Sequence, residues 1–332
     1  MITKRQLTIW YGLVSILILV IICVGAITRL TNSGLSMVEW RPIFGFLPPL
    51  SLDDWNVVFN QYKLFPEYQK LNAGMSLIAF KKIFFWEYFH RVLGRLIGIS
   101  LIFPFIYFLF RKKLSPSLIR KTLIMIVLVV FQGFLGWYMV KSGLVENPKV
   151  NHIRLWLHLS GALLLLEYIL WTLLKLHFPI DKRKKWNKLI LFWTFLLCVQ
   201  ISYGAFVAGL DAGWIYNSYP KMNNEWIPSS ILLMDSFLTN IVHNPVMVQF
   251  VHRHLALIIL GIFCSITWRL KQKSSVYCDL AYVILLLLSA QVLLGILTLV
   301  LSVPISLAVL HQFLAVMLLS FSVSLSYLVR ED

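Results

Sequence analysis

Four of the eight histidines in this 332-residue chain stand where metal chemistry is possible. His90 opens a long apolar run, with Glu87 one turn before it and Arg91 and Arg95 just after. A related string, Gln249-Phe250-Val251-His252-Arg253, opens another apolar run 162 residues later. His158 lies about one turn, and His311 about two turns, inside the outer ends of two further runs. Membrane interiors exclude ionisable groups unless the protein needs them, so these positions mark sites. Two imidazoles on parallel helices can face one another across a bundle and ligate a haem iron from both sides. A lone intramembrane histidine is more often a hydrogen-bonded packing residue, but four at equivalent depth argue for ligation, as the pairs His90/His158 and His252/His311. His152, His177 and His243 fall near helix ends or in loops. His254 is two residues from His252, about 200° around a helix. Those four read as interfacial hydrogen-bonding residues.

The rest of the chain reads as the frame for these groups. It is 59% hydrophobic with a mean hydropathy of +0.79, outside the range of soluble domains. Apolar runs near residues 8–28, 90–110, 119–140, 154–176, 188–209, 248–269, 277–301 and 305–328 are each long enough to cross a bilayer. The expected fold class is an all-α membrane protein with eight transmembrane helices. More than half of the 30 Lys and Arg lie in alternate short connections: Lys4-Arg5, Arg111 to Lys121, Lys175 to Lys188, Arg269 to Lys273, and Arg330. The positive-inside rule makes those segments, and both termini, cytoplasmic. The net charge of +16 is therefore a topology signal and no sign of nucleic acid. The first span has no transit peptide or cleavage site and reads as retained, which favours a bacterial inner membrane. The four cysteines lie in or at the ends of spans without a CxxC, and read as packing residues.

The two halves match. Gly25-Ala26 through Gly34 aligns with Gly204-Ala205 through Gly213, His90-Arg91 with His252-Arg253, Gln132 through Gly136 with Gln291 through Gly295, and His158 with His311. Four spans per repeat implies tandem four-helix bundles, 1–180 and 181–332, related by a pseudo-two-fold axis along the membrane normal. The outer segment 29–89 is too long to be structureless. Ser51 with Asp54 makes a capping box ahead of a short helix, and Ser76 caps a helix that continues into the second span. Asn244-Pro245 starts another helix.

The asymmetry is informative. Glu87 aligns with Gln249 and Arg95 with Leu257, so only the first bundle has a carboxylate one turn from its histidine. A buried carboxylate is costly unless paired, and an i,i+4 pair with Arg91 is one way to meet that cost. The twin bundle does without it, so the first bundle reads as the chemical site and the second as a stable cofactor site. Arg91 and Arg253, beside the ligands, could pair with haem propionates or snorkel to the interface.

These residues carry a resemblance. Thr28 to Met37, Glu87 to Arg91, Gln132 to Leu144 (QGFLGWYMVKSGL) and Gly209 to Met222 (GLDAGWIYNSYPKM) resemble haem A synthases of the mitochondrial and alphaproteobacterial branch. The resemblance implies oxidation of the C8 methyl of haem O to a formyl group, using water and an external electron acceptor, to make haem A for cytochrome c oxidase. It implies that His252 and His311 ligate a haem b cofactor and that His90 and His158 define the substrate site, with Glu87 beside it; as the catalytic residue, Glu87 is expected to move protons or position water at the substrate methyl. A haem O synthase is an implied membrane partner, and an oligomer is compatible. The other branch has a cysteine pair in this outer segment; Arg29 to Trp86 has none, so that role does not carry over. The rival readings are a di-haem b electron-transfer subunit, which would need no lone Glu87, and a transporter, whose site would lie nearer the midplane.

Overall fold

The computed structural model describes residues 2–39, 45–145, 148–179, 185–272 and 277–331. Lys182 to Lys184 and Lys273, counted among the basic clusters, lie outside these residues, as does the expected division at 180/181. Among the described residues eight helices are long and apolar enough to cross a membrane: α1 (Lys4–Leu30), α4 (Leu77–Phe110), α5 (Pro116–Lys141), α6 (His152–His177), α7 (Lys188–Gly209), α9 (Pro245–Gln272), α10 (Cys278–Val300) and α11 (Ile305–Leu328). The chain forms two compact units, Met1–Ile169 and Leu170–Asp332, the division falling within α6. Beyond the helices, Lys185–Trp186 pairs antiparallel with Arg330–Glu331. The four cysteines are free thiols.

In the first unit α1 packs on α4 and α4 on α5. Polar side chains pin these apolar surfaces in register. Trp10 Nε1 donates to the Ser100 carbonyl at 2.8 Å, and the Tyr11 and Thr122 hydroxyls meet at 2.7 Å. In the second unit α7, α9, α10 and α11 close a ring of contacts, a four-helix bundle. Trp193 Nε1 donates to the Ile259 carbonyl at 3.0 Å, and the Thr194 and Ser326 hydroxyls meet at 2.9 Å. Such bonds exclude alternative helix registers, because a slipped helix would bury them unpaired.

The outer segment folds as its composition demands. Ser51 and Asp54 form the expected capping box at the start of α2 (Leu52–Lys63). Ser76 caps α4, which runs 34 residues and extends past the membrane-length stretch. Phe59, Tyr62, Phe80 and Phe84 make an aromatic core between α2 and that extension. A short helix α3 (Pro66–Lys70) completes it. Inside, Tyr62 Oη donates to Glu67 Oε2 at 2.9 Å and receives Asn72 Nδ2 at 2.7 Å. Burial pushes the Glu67 carboxyl up to about 7; the Tyr62 bond opposes this and the nearby Glu87 adds to it. Burial likewise raises Tyr62. In the second unit, α8 (Phe237–His243) leads to Asn244, whose Oδ1 accepts from Val246 N at 2.9 Å, capping α9 ahead of Pro245.

Candidate haem sites

The aligned histidines meet in pairs. In the first unit the rings of His90 (α4) and His158 (α6) have centroids 6.4 Å apart, tilted by 53°. In the second unit His252 (α9) and His311 (α11) are also 6.4 Å apart, at 82°. Two metal–imidazole bonds of about 2 Å, with a ring radius of about 1 Å on each side, span roughly 6 Å. Each pair therefore fits a metal ion held between two imidazoles, and among the described residues no cluster of three or more ligand-type side chains competes for that role.

Each ring rests on a glycine of a neighbouring helix. A Cβ on Gly25 would be 3.2 Å from His90 Nε2, and one on Gly136 would be 3.3 Å from His158 Cε1. In the second unit the distances are 3.3 Å from Gly204 to His252 Cε1 and 2.8 Å from Gly295 to His311 Cε1. These are the glycines that align between the repeats. Only a residue without a side chain lets an imidazole lie this close to the next helix.

The two pairs differ in how they are held. In the second unit Gln200 Nε2 donates to the His252 carbonyl at 2.9 Å and meets Nδ1 at 3.1 Å. Gln291 Nε2 donates to the His311 carbonyl at 3.0 Å. Neither ring of the first pair has a hydrogen bond among the described residues. Ile21 stands at the position equivalent to Gln200, four residues before the glycine; His158 Nδ1, like His311 Nδ1 in the second pair, is buried without a partner. Sequence reasoning missed Gln200. Its signal was a lone amide in an apolar span, one turn before an aligned glycine.

Glu87 is 3% exposed and fully engaged. Oε2 accepts from Ser36 Oγ at 2.7 Å and from the Met37 N–H at 2.8 Å; Oε1 pairs with Arg91 Nη2 at 2.6 Å. Arg91 also donates to the Met37 and Glu39 carbonyls, at 2.8 and 2.9 Å. The Tyr88 hydroxyl donates to the Phe46 carbonyl, and Arg95 lies over the Phe46 ring at 5.3 Å. The α4 turns on either side of His90 thus fasten the outer segment. The aligned pair in the second unit fastens its own outer segment more simply: Gln249 Nε2 donates to the Tyr216 carbonyl, and Arg253 to the Tyr216 and Ser218 carbonyls. Both arginines thus spend donors on loop carbonyls, while Arg253 Nε remains buried and unpaired. His254 turns away from the pair, its Nδ1 within 2.8 Å of the Phe250 carbonyl.

Comparison with known proteins shows the family. The COX15-CtaA family model, described as cytochrome oxidase assembly protein, matches residues 8–323. Among similar proteins, the haem A synthase of Flavobacterium johnsoniae is 40% identical over 331 residues, 96% of each chain. That of Pelagibacter ubique is 41% identical over 325 residues, 95% of this chain and 94% of its own. That of Rickettsia felis is 40% identical over 336 residues, 98% of this chain and 99% of its own. With eight membrane-length helices, two matched histidine pairs and a profile match over nearly its whole length, the chain belongs to the COX15-CtaA family of cytochrome oxidase assembly proteins.

Proposed function

We propose that this chain is a haem A synthase, an oxidoreductase that converts haem O to haem A. The observation that carries the assignment of the two sites is their unequal support: identical ring spacings, but glutamine bonds to the histidines of the second pair alone. The Gln200 contact to the His252 ring is of the kind that orients a ligand and tightens binding, and the two carbonyl bonds fix the helix turns that carry His252 and His311. The second unit is accordingly suited to keep a resident group, haem b, on His252 and His311. The first is suited to admit a haem and release it altered, with His90 and His158 positioning the substrate. An electron-transfer subunit would have reason to hold all four rings alike.

Oxidising a methyl to a formyl group with water releases four protons and four electrons: R–CH3 + H2O → R–CHO + 4 H+ + 4 e−. A haem b bound in the second unit would supply one-electron redox chemistry toward an external acceptor. This chain's residues must do the rest. The outer segment, tied to α4 through Glu87, Tyr88, Arg91 and Arg95, covers the helix face beside His90 and excludes bulk water there. Glu87 is the buried group that can take a proton near the site, with Ser36 Oγ donating to its Oε2. Three donors fix the Glu87 carboxylate in place, so its positioning of the outer segment precedes its proton role. Arg253, with Nε unpaired, is suited to a carboxylate of the resident haem, and Arg91 serves chiefly to lock the outer segment. We place the protein in a bacterial inner membrane with both termini cytoplasmic, receiving haem O from a membrane-bound synthase.

The test is haem extraction. The chain is co-expressed with a haem O synthase, purified in mild detergent, and its haems are resolved by chromatography with mass detection. Haem B together with haem O, an oxidised intermediate or haem A supports the proposal; haem B alone, at full occupancy of both histidine pairs, refutes it.

A further inference from the structure

Gln132 presents a buried amide with nothing to bond. Its Oε1 and Nε2 are both shielded from solvent, and neither has a partner among the described residues. Native structures seldom leave both ends of an amide in this condition without a use. Gln132 lies one turn before Gly136, so it projects from the α5 face that meets His158. Its Nε2 comes within 1.9 Å of where a Cβ on Gly161 would stand, filling the space that this glycine leaves open. Gly161 follows His158 by three residues on the same face of α6. The amide therefore sits about one helical turn deeper than the ring, against bare backbone.

The aligned glutamine behaves otherwise. Gln291 uses its Nε2–H on the His311 carbonyl, and Leu314 occupies the position three residues beyond His311. The second unit thus has neither the spare donor nor the opening.

The two sites differ in one chemical demand. A resident haem is unchanged by turnover, whereas the substrate has a methyl carbon that acquires a hydroxyl and then a carbonyl oxygen in a water-poor interior. A carbonyl oxygen there needs a donor, and an alcohol needs an acceptor as well. A primary amide supplies both from adjacent atoms. We infer that the Gln132 amide hydrogen-bonds the oxygen installed on the substrate, holding the hydroxylated form until it is oxidised further, and that Gly161 provides the opening through which it reaches. The inference rests on the reading of the first unit as the substrate site. Gln132 acts here as a positioning residue, with no bond made or broken at its own atoms.

The formyl stretch of bound haem A reports this contact directly in the resonance Raman spectrum, because a hydrogen bond lowers the C=O frequency. In the protein purified with haem A bound, Gln132→Leu is expected to move that band to higher frequency. Gly161→Ala, whose Cβ would displace the amide, is expected to move it the same way, and Gly133→Ala, with open space around it, to leave it in place. The haems extracted from Gln132→Leu should show the alcohol enriched several-fold over the aldehyde. A formyl band unmoved in both Gln132→Leu and Gly161→Ala would overturn the inference while leaving the synthase reading intact. A wild-type protein that yields haem B alone, at full occupancy of both histidine pairs, would overturn both. If Gln132→Leu proves too unstable to purify, Gly161→Ala decides the matter alone.

Discussion

Replacing Gln200 by leucine isolates the feature that separates the two histidine pairs. Leucine keeps most of the volume in α7 and removes the contacts to the His252 carbonyl at 2.9 Å and to Nδ1 at 3.1 Å. A net hydrogen bond contributes about 0.5–1.5 kcal/mol, so losing two costs roughly 1–3 kcal/mol. At about 1.4 kcal/mol per factor of ten, haem binding in the second unit should weaken by roughly fivefold to a little over a hundredfold. The assay is transfer of haem from the purified, detergent-solubilised protein to excess apo-globin, with the departing haem identified by extraction. Haem b is expected to leave faster in proportion, and substrate-site haem at the wild-type rate. The reciprocal change, Ile21→Gln, places an amide one turn before Gly25. Ile21 Cδ1 already lies 3.7 Å from where a Gly94 Cβ would be, one turn past His90. That variant should release its altered haem more slowly. Equal loss of both haems from Gln200→Leu, or no change in either, would refute the assignment of unequal support.

Three further outcomes are expected. Gly295→Ala would place a Cβ 2.8 Å from His311 Cε1 and force the ring to move, an overpacking cost of about 1–3 kcal/mol; haem per protein should fall in it, while Gly133→Ala, with open space around it, should match wild type. Glu67, raised by burial from 4.5 to about 7, binds its proton more tightly in the folded outer segment than in the unfolded chain. The stability it contributes is complete below about pH 4.5 and is lost as pH rises through about 7, by up to roughly 3 kcal/mol. Hydrogen exchange of α2 and α3 should therefore speed up between pH 5 and pH 8 in the wild type, and Glu67→Gln, which can still accept from Tyr62, should flatten that dependence. Glu87→Gln removes the charge that pairs with Arg91, and is expected to cut haem A formation at least tenfold with both haems still bound, read by single-turnover product analysis; unaltered formation would exclude Glu87 from the chemistry, and Gln249→Glu should create no second active site.

Much of this protein is written locally in its sequence. Span lengths follow from hydropathy, since a helix must satisfy its own backbone across about 30 Å of hydrocarbon. The starts of α2, α4 and α9 follow from Ser51 with Asp54, Ser76, and Asn244 with Pro245, because caps act over three or four residues. The four histidines were legible because each repeats at an aligned position. Tertiary structure alone decided which of them meet and what surrounds each pair. That Glu87 reaches Ser36 and Met37, some fifty residues away, depends on how the outer segment folds over α4. That Gln200 holds His252 while Ile21 leaves His90 unbonded depends on which helix faces which. That Gln132 is left unpaired depends on the space at Gly161. The physical reason is common to all three: in an apolar helix a polar side chain has no local partner to declare its role, so its meaning is set by what the neighbouring helix brings within about 3 Å of it.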